Sequence, residues 1–359
     1  MSCIDRNLLS TISGPIEQAQ GLPNAFYIDP EIYARERDIL FARQWACIGF
    51  SHDVPTRGDV WPVDLMGQPL LMVRDKQEQV AVYHNVCRHR GMILVTEPGN
   101  SGAVIRCPYH SWTYGLDGGL RATPHVGGAG VAEHPCITKP ELGLIPVRSH
   151  VFMGLVFVNL SGDAPEFDVA HSVLRGRWVE FADQSLFHAG ADSSFSLTVE
   201  TNWKLAVENY CESYHLPWIH PSLNAYSRIE DHYNIVEPGL FSGQGTTVYQ
   251  PGSAEGHAPF ADFLGISNAW DTAAEYVAVY PNVLLGVQRD HAFAIILEPQ
   301  GIGETAEHIH LYYAAPQVDE ALRAANATLW KQVFEEDIFV VEGMQKGRHA
   351  PGFDGGRFS

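Results

Sequence analysis

Apolar residues recur along the chain at more than one period, and the changes of period divide it. After FYIDP, the segment EIYARERDILFARQW places Ile32, Ile39, Leu40 and Trp45 at roughly helical spacing. Asp29 followed by Pro30 reads as the start of that helix, with Asp as N-cap and Pro in the first turn. From about residue 47 to 160, short apolar runs (ACIGF, PLLMVR, VAVYHNV, AVIRCPY, LGLIPVR, GLVFVNL) alternate with Gly, Pro and Asp turns. That texture predicts a compact all-β domain, with Asp117-Gly118-Gly119 as a hairpin turn. The polar stretch SGDAPEFDVA, 161–170, marks a domain boundary.

Beyond it, FSLTVE predicts a strand, and NWKLAVENYCESYH predicts an amphipathic helix ending at His215, which Pro217 then breaks. Residues 221–275 read as a long connection rich in Gly, Pro and Ser, with PGSAEGHAPF at its centre. YVAVYPNVLLGVQRD, HAFAIILEPQ and EHIHLYYAA then read as paired strands, and about 318–346 as a final amphipathic helix. The second half is therefore α+β, an antiparallel sheet with helices against it.

Composition narrows the chemistry. A length of 359 residues corresponds to about two domains. Lys+Arg is 23 and Asp+Glu 42, so the net charge of −19 repels nucleic acid phosphates and anionic membranes. Hydrophobic residues at 45% and charged residues at 18% describe a folded globular chain. No apolar run reaches the ~18 residues of a membrane span. MSCIDRNLLS lacks the pattern of an export signal, so a cytoplasmic location is expected. Six Cys are too few for a disulfide scaffold, while 17 His make metal chemistry the first thing to test.

Two constellations carry that chemistry. In NVCRHRGMILVTEPGNSGAVIRCPYHSWTYGLDG, one residue separates Cys87 from His89, and two separate Cys107 from His110. Each pair falls at a tight turn, shaped by Gly91 and Pro108, with a spacer long enough for a hairpin that brings the pairs together. Two thiolates and two imidazoles suit either structural zinc or a Rieske [2Fe–2S] centre. The mixed pairs favour the Rieske centre, because each loop then gives one ligand to each iron.

The second constellation is NWKLAVENYCESYHLPWIHPSL, where four residues separate His215 from His220. Two His and one carboxylate on one face of a metal form the triad of Fe(II) oxygenases, which leaves positions open for O₂ and substrate. In the last helix, Leu329, Val333, Val340 and Met344 predict an apolar stripe that contains Asp337. A charge there is costly unless paired or ligating, which nominates Asp337, with Glu336 as rival and Glu335 facing solvent. Glu212, three residues before His215, is placed to hold the imidazole N–H of that ligand. His291, His308 and His310 sit in predicted strands and read as structural. Tyr280, Val287, His291 and Phe293 are candidate pocket residues. Tyr210, Trp218, Phe260, Phe263, Trp270 and Tyr276 are candidates for a cation–π cage.

CRHRG and CPYHSWTY resemble the cluster-binding loops of Rieske non-haem iron oxygenase α subunits, a resemblance that covers most of the chain. It implies an N-terminal segment (1–44) packed on the catalytic domain, a Rieske domain (45–160) and a catalytic domain (161–359) of the helix-grip fold. It implies one [2Fe–2S] cluster held by Cys87, His89, Cys107 and His110, and one mononuclear Fe(II) held by His215, His220 and Asp337. Glu212 would bridge His215 to His110 of a neighbouring copy, Asn209 would lie near the iron, and Tyr109 and Trp112 would pack over the cluster. In place of the commoner Asp, Glu212 resembles the branch acting on carnitine, glycine betaine and stachydrine. The activity implied is O₂-dependent hydroxylation with oxidative demethylation of an N-methyl or quaternary ammonium substrate. Aromatic ring hydroxylation is the alternative. A pure electron carrier would need no second constellation. Partners implied are an NAD(P)H-dependent reductase and two further copies in a head-to-tail homotrimer. Family members commonly continue with another helix after a stretch like GFDGGRFS.

Overall fold

The computed structural model describes residue 12, residues 18–249 and residues 260–357. The N-terminal decapeptide, including Cys3, and most of PGSAEGHAPF lie outside the described residues. The chain divides into two units, Phe41–Ala170 and a second formed by the residues up to Leu40 with those from His171 onward.

The Phe41–Ala170 unit is built on strands. Seven of them form an antiparallel sheet in the order Ala46–Phe50, Leu155–Asn159, Pro146–Phe152, Val80–His84, Gln68–Arg74, Asp59–Leu65, Gly99–Asn100. Asp59–Leu65 went unread in the sequence because Pro62 interrupts its pattern. A second, three-stranded sheet pairs Val104–Arg106, Thr113–Gly115 and Leu120–Ala122. Its last two strands are joined at Asp117, whose Oδ1 accepts from the Gly119 N–H at 3.1 Å, while Gly118 takes φ +75°. Leu71, Tyr83, Ile105, Trp112 and Tyr114 fill the core between the sheets, together with Cys87 and Cys107.

The other unit is an α+β layer. Its antiparallel sheet runs Ser194–Val199, Glu304–Tyr313, His291–Gly301, Val283–Val287, Ala274–Val279, Phe241–Thr246, His232–Glu237. Helices Trp203–Tyr210 and Glu320–Gly347 pack on it. The helix Pro30–Glu36 begins as its sequence predicts, with Asp29 accepting from the Glu31 N–H at 2.8 Å. Tyr27 donates to Glu208, and Lys204 pairs with Glu36 at 2.8 Å, both contacts reaching the Trp203–Tyr210 helix. Among the described residues no helix is long and apolar enough to cross a membrane.

Three expectations need correction. The helix predicted through His215 stops at Tyr210, and Leu216–Ile219 forms a separate turn of helix. Pro217 cannot donate a helical hydrogen bond, and its ring would press on the Ser213 carbonyl of a continuous helix. The 221–275 connection is not all loop: His232–Glu237 and Phe241–Thr246 are a strand pair. The buried stripe of the last helix runs through Trp330, Phe334 and Val341, not through Leu329, which is exposed. Asp337 lies on the corrected stripe too.

Candidate metal centres and substrate pocket

Two matching turns build the first site. The Cys87 N–H donates to the Met92 carbonyl and the Cys107 N–H to the Trp112 carbonyl, each at 2.8 Å. The chain then closes back, Gly91 N–H to Cys87 carbonyl and Ser111 N–H to Cys107 carbonyl. Gly91 and Ser111 both take positive φ, +72° and +56°, so the two loops share one backbone form. Both cysteines are free and 2% exposed. Burial pushes the Cys87 thiol above its ordinary range; the Tyr114 hydroxyl opposes this and the neighbouring Cys107 thiol adds to it. Tyr114 Oη lies 3.3 Å from Cys87 Sγ and accepts the Arg88 N–H, so its own proton is free to point at the sulfur.

The His89 and His110 rings lie 4.8 Å apart. Trp112 stacks on His89 at 4.6 Å, and exposed Tyr109 covers His110 at 3.7 Å. Nδ1 of each imidazole is buried and has no hydrogen-bond partner. Orphaned buried nitrogens are costly, so their pairing beside two buried thiols fits a group that binds all four. The donor set, two sulfur and two nitrogen, is that of a Rieske [2Fe–2S] cluster.

The second site gathers on the α+β unit. One ligand atom from each of His215, His220 and Asp337 falls within 4.8 Å of the others. His220 Nε2 is 3.1 Å and His215 Nε2 3.7 Å from Asp337 Oδ1. The opposite ring nitrogens are held by other carboxylates: Glu212 Oε1 lies 2.6 Å from His215 Nδ1, and Glu336 Oε2 2.8 Å from His220 Nδ1. Burial alone would lower the His220 imidazole; its bonds to Asp337 and Glu336 outweigh burial and hold it above its ordinary range. Two imidazole nitrogens and one carboxylate oxygen converging from one side fit a non-haem Fe(II) site.

Glu212 does not lie on the helix of the sequence reading. It sits in the turn after it, where its Oε2 accepts the backbone N–H groups of Tyr214 and His215. That side chain both shapes the turn and fixes the His215 ring.

A cavity with about 50 Å³ of free volume opens beside these three residues. One wall is aromatic: Tyr210, Tyr276, Phe293, Trp330 and Phe334. Asn209, 8% exposed, also lines it. A polar corner is made by Ser227, His232 and Gln244. Of the sequence candidates for the pocket and cage, Phe293, Tyr210 and Tyr276 line it. Tyr280 is turned to Ser242, and Trp218 is exposed beside Tyr214. Phe263 and Trp270 pack on Phe181, and Phe260 on Tyr313. His291 stays out of the lining but accepts from Trp330 Nε1 at 3.0 Å and so steadies that wall.

Comparison with known proteins now decides the family. Residues 187–359 match the ring hydroxylating alpha subunit (catalytic domain) family, and residues 44–136 match the Rieske [2Fe-2S] domain. The chain belongs to the Rieske oxygenases. It is 25% identical over 342 residues to the carnitine monooxygenase oxygenase subunit of Escherichia coli (strain K12), covering 94% of this chain and 87% of that one. It is 26% identical over 359 residues to the chloroplastic choline monooxygenase of Arabidopsis thaliana, covering 96% and 80%. The crystal structure of a quaternary ammonium Rieske monooxygenase, CntA, in complex with an inhibitor superimposes with TM-score 0.78 at 22% identity, covering 97% of this chain and 90% of that one. As a Rieske oxygenase the chain carries a [2Fe–2S] cluster and a mononuclear iron and is an O₂-using oxidoreductase that depends on a reductase for electrons.

Several residues of this oxygenase escaped the sequence reading. Trp330 and Phe334 look like ordinary core residues in the sequence, and their i, i+4 spacing with Asp337 at i+7 is the signal that places them beside the ligand. Ser227, His232 and Gln244 fall in a segment whose sequence carries no strand period, so nothing in it places them on a common face.

Proposed function

We propose that this Rieske oxygenase hydroxylates an N-methyl carbon of a small quaternary ammonium or N-methyl compound in the cytoplasm. Cys87 and Cys107 hold one iron of the cluster, and His89 and His110 the other. His215, His220 and Asp337 hold the mononuclear iron. When bound, the cluster delivers single electrons from an NAD(P)H-dependent flavin or ferredoxin-type reductase, and the mononuclear iron activates O₂.

The chain's own residues do the rest. Glu212 and Glu336 accept the Nδ1 protons of His215 and His220, which fixes both tautomers and turns both Nε2 lone pairs inward. Asn209 offers a polar side chain on the cavity wall close to the three ligands. Tyr210, Tyr276, Phe293, Trp330 and Phe334 present ring surface to the substrate. A methylammonium group lies favourably against such faces. Once hydroxylated, the N-hydroxymethyl group breaks its C–N bond, releasing formaldehyde and the demethylated amine; the hydroxyl proton leaves to solvent when the nitrogen was quaternary and passes to the nitrogen when it was a neutral amine. In a head-to-tail homotrimer, Glu212 would connect His215 to His110 of a neighbouring copy.

The observation that carries this reading is the aromatic wall. Among the described residues lining the cavity, none is Lys or Arg, and the one carboxylate is Asp337. No cationic side chain among them therefore opposes a cationic head. The reading is tested by supplying the reconstituted enzyme with a panel of trimethylammonium compounds and of aromatic acids. Formaldehyde stoichiometric with O₂ uptake is expected from the first group; cis-diols or phenols from the second group alone would overturn it.

A further inference from the structure

The polar corner of the cavity has a definite direction of hydrogen bonding, and it can be read from the backbone outward. Gln244 Nε2 faces two carbonyl oxygens, Glu212 at 3.0 Å and Tyr210 at 3.4 Å. Carbonyls only accept, so the Gln244 amide is oriented with its nitrogen toward them and its Oε1 toward His232. His232 Nδ1 lies 2.8 Å from that oxygen and must therefore carry a proton. Burial lowers the His232 pKa, against weaker raising effects of Gln244, the Ser227 carbonyl and Asp231, so the ring is neutral at pH 7. Asp231 is itself paired with Arg228 at 2.9 Å. A neutral ring protonated on Nδ1 has a lone pair on Nε2. Ser227 Oγ lies 3.0 Å from Nε2, closer than the Ser227 carbonyl at 3.3 Å, and donates its proton there.

The chain of donors ends at Ser227. Its hydroxyl proton is spent on His232, and what remains for the cavity is an oxygen with lone pairs, an acceptor. Ser227 is 1% exposed and Gln244 7%, so water does not readily reset this order. Resting on the reading of the site as one for N-methyl compounds, we infer that Ser227 is a specificity-determining residue that accepts a hydrogen bond from the tail of the substrate. The enzyme thereby selects quaternary ammonium compounds whose tail ends in a donor, such as an alcohol, over those ending in a carboxylate. At this corner a carboxylate would meet a second acceptor, with no Lys or Arg among the described lining residues to offset it; the cavity's unpartnered hydroxyl donors, Tyr210 and Tyr276, belong to its aromatic wall, where the trimethylammonium head is placed.

Choline and glycine betaine separate the two cases, because both carry the same trimethylammonium head and differ in the tail. The holoenzyme, with a surrogate reductase, is assayed for formaldehyde release from each, and equilibrium binding is measured by calorimetry. Wild type is expected to favour choline at least tenfold in kcat/KM. Ser227→Ala should lower kcat/KM for choline about tenfold, chiefly through KM, and collapse the ratio toward one. Ser227→Thr, which keeps the hydroxyl, should restore the preference. A wild type that favours glycine betaine, or a ratio unmoved in Ser227→Ala, overturns this inference and leaves N-demethylation standing. No formaldehyde from any trimethylammonium compound overturns both.

Discussion

Three adjacent acids on the last helix, Glu335, Glu336 and Asp337, show how finely position decides role. Glu335 points outward and pairs with Lys331. Asp337 sits on the buried stripe with Trp330, Phe334 and Val341 and meets both Nε2 atoms. Glu336, one residue earlier and so about 100° around the helix, reaches the far nitrogen of His220 instead. In the sequence these acids compete for one ligand position, because periodicity places a side chain on a face but does not say which atom of a histidine it meets. The structure uses two of them, on opposite sides of one ring. Glu336→Ala removes the acceptor that orients His220 while leaving the three inward groups in place. Iron affinity should fall roughly 10–100-fold, with Glu336→Gln less affected, as read from iron retained against a graded chelator. The same carboxylates also give iron loading a pH dependence. His220 must lose its proton to ligate, and Asp337 and Glu336 raise its pKa, so iron binding should weaken as pH falls through a value above that of free imidazole.

Elements that pack through side chains were legible, whereas those that exist to make room were not. The strands Val283–Val287, His291–Gly301 and Glu304–Tyr313 announce themselves by β-branched and aromatic residues. Phe241–Thr246, sequence FSGQGT, has no such signal, since its glycines serve neighbours rather than themselves. A Cβ on Gly243 would run into the Tyr276 carbonyl, and one on Gly245 into the Tyr233 ring. Gly286 plays the same part for the Phe293 ring that walls the cavity. The strand is set by what lies across from it, Ala274–Val279, and only the folded sheet reveals the need. Gly243→Ala should therefore cost about 1–3 kcal/mol in urea denaturation, as an overpacked core does. Gly343, exposed within the last helix and with open space at its Cβ position, gives the opposite result. Gly343→Ala should stabilise by about 0.5–1 kcal/mol, because the helix no longer bears the backbone entropy of glycine.

For the whole molecule, the question is which cluster serves which iron. The two proposed ligand sets lie in different units of the chain, Cys87 to His110 in one and His215 to Asp337 in the other. Glu212 holds His215 through one carboxylate oxygen yet keeps 44% of its side chain exposed. That exposure suits a residue whose second contact comes from another copy. A closed head-to-tail ring would supply it, each subunit's cluster beside the next subunit's iron. The consequence is measurable without knowing the interface. His110→Ala spoils the cluster and His215→Ala spoils the mononuclear site, so neither variant alone should turn over. Co-expressed in equal amounts and assembled at random, they place an intact cluster next to an intact iron at (1/2)(1/2), or about one quarter, of the junctions. Mixed rings should then recover about a quarter of wild-type formaldehyde release, whereas enzymes mixed after purification recover it only as fast as subunits exchange. If electrons instead pass within one chain, every copy is dead whatever its neighbour, and co-expression recovers nothing. Only the inter-subunit route makes two inactive proteins active together, so a null result here would remove the trimer from the electron path even if the rings themselves form.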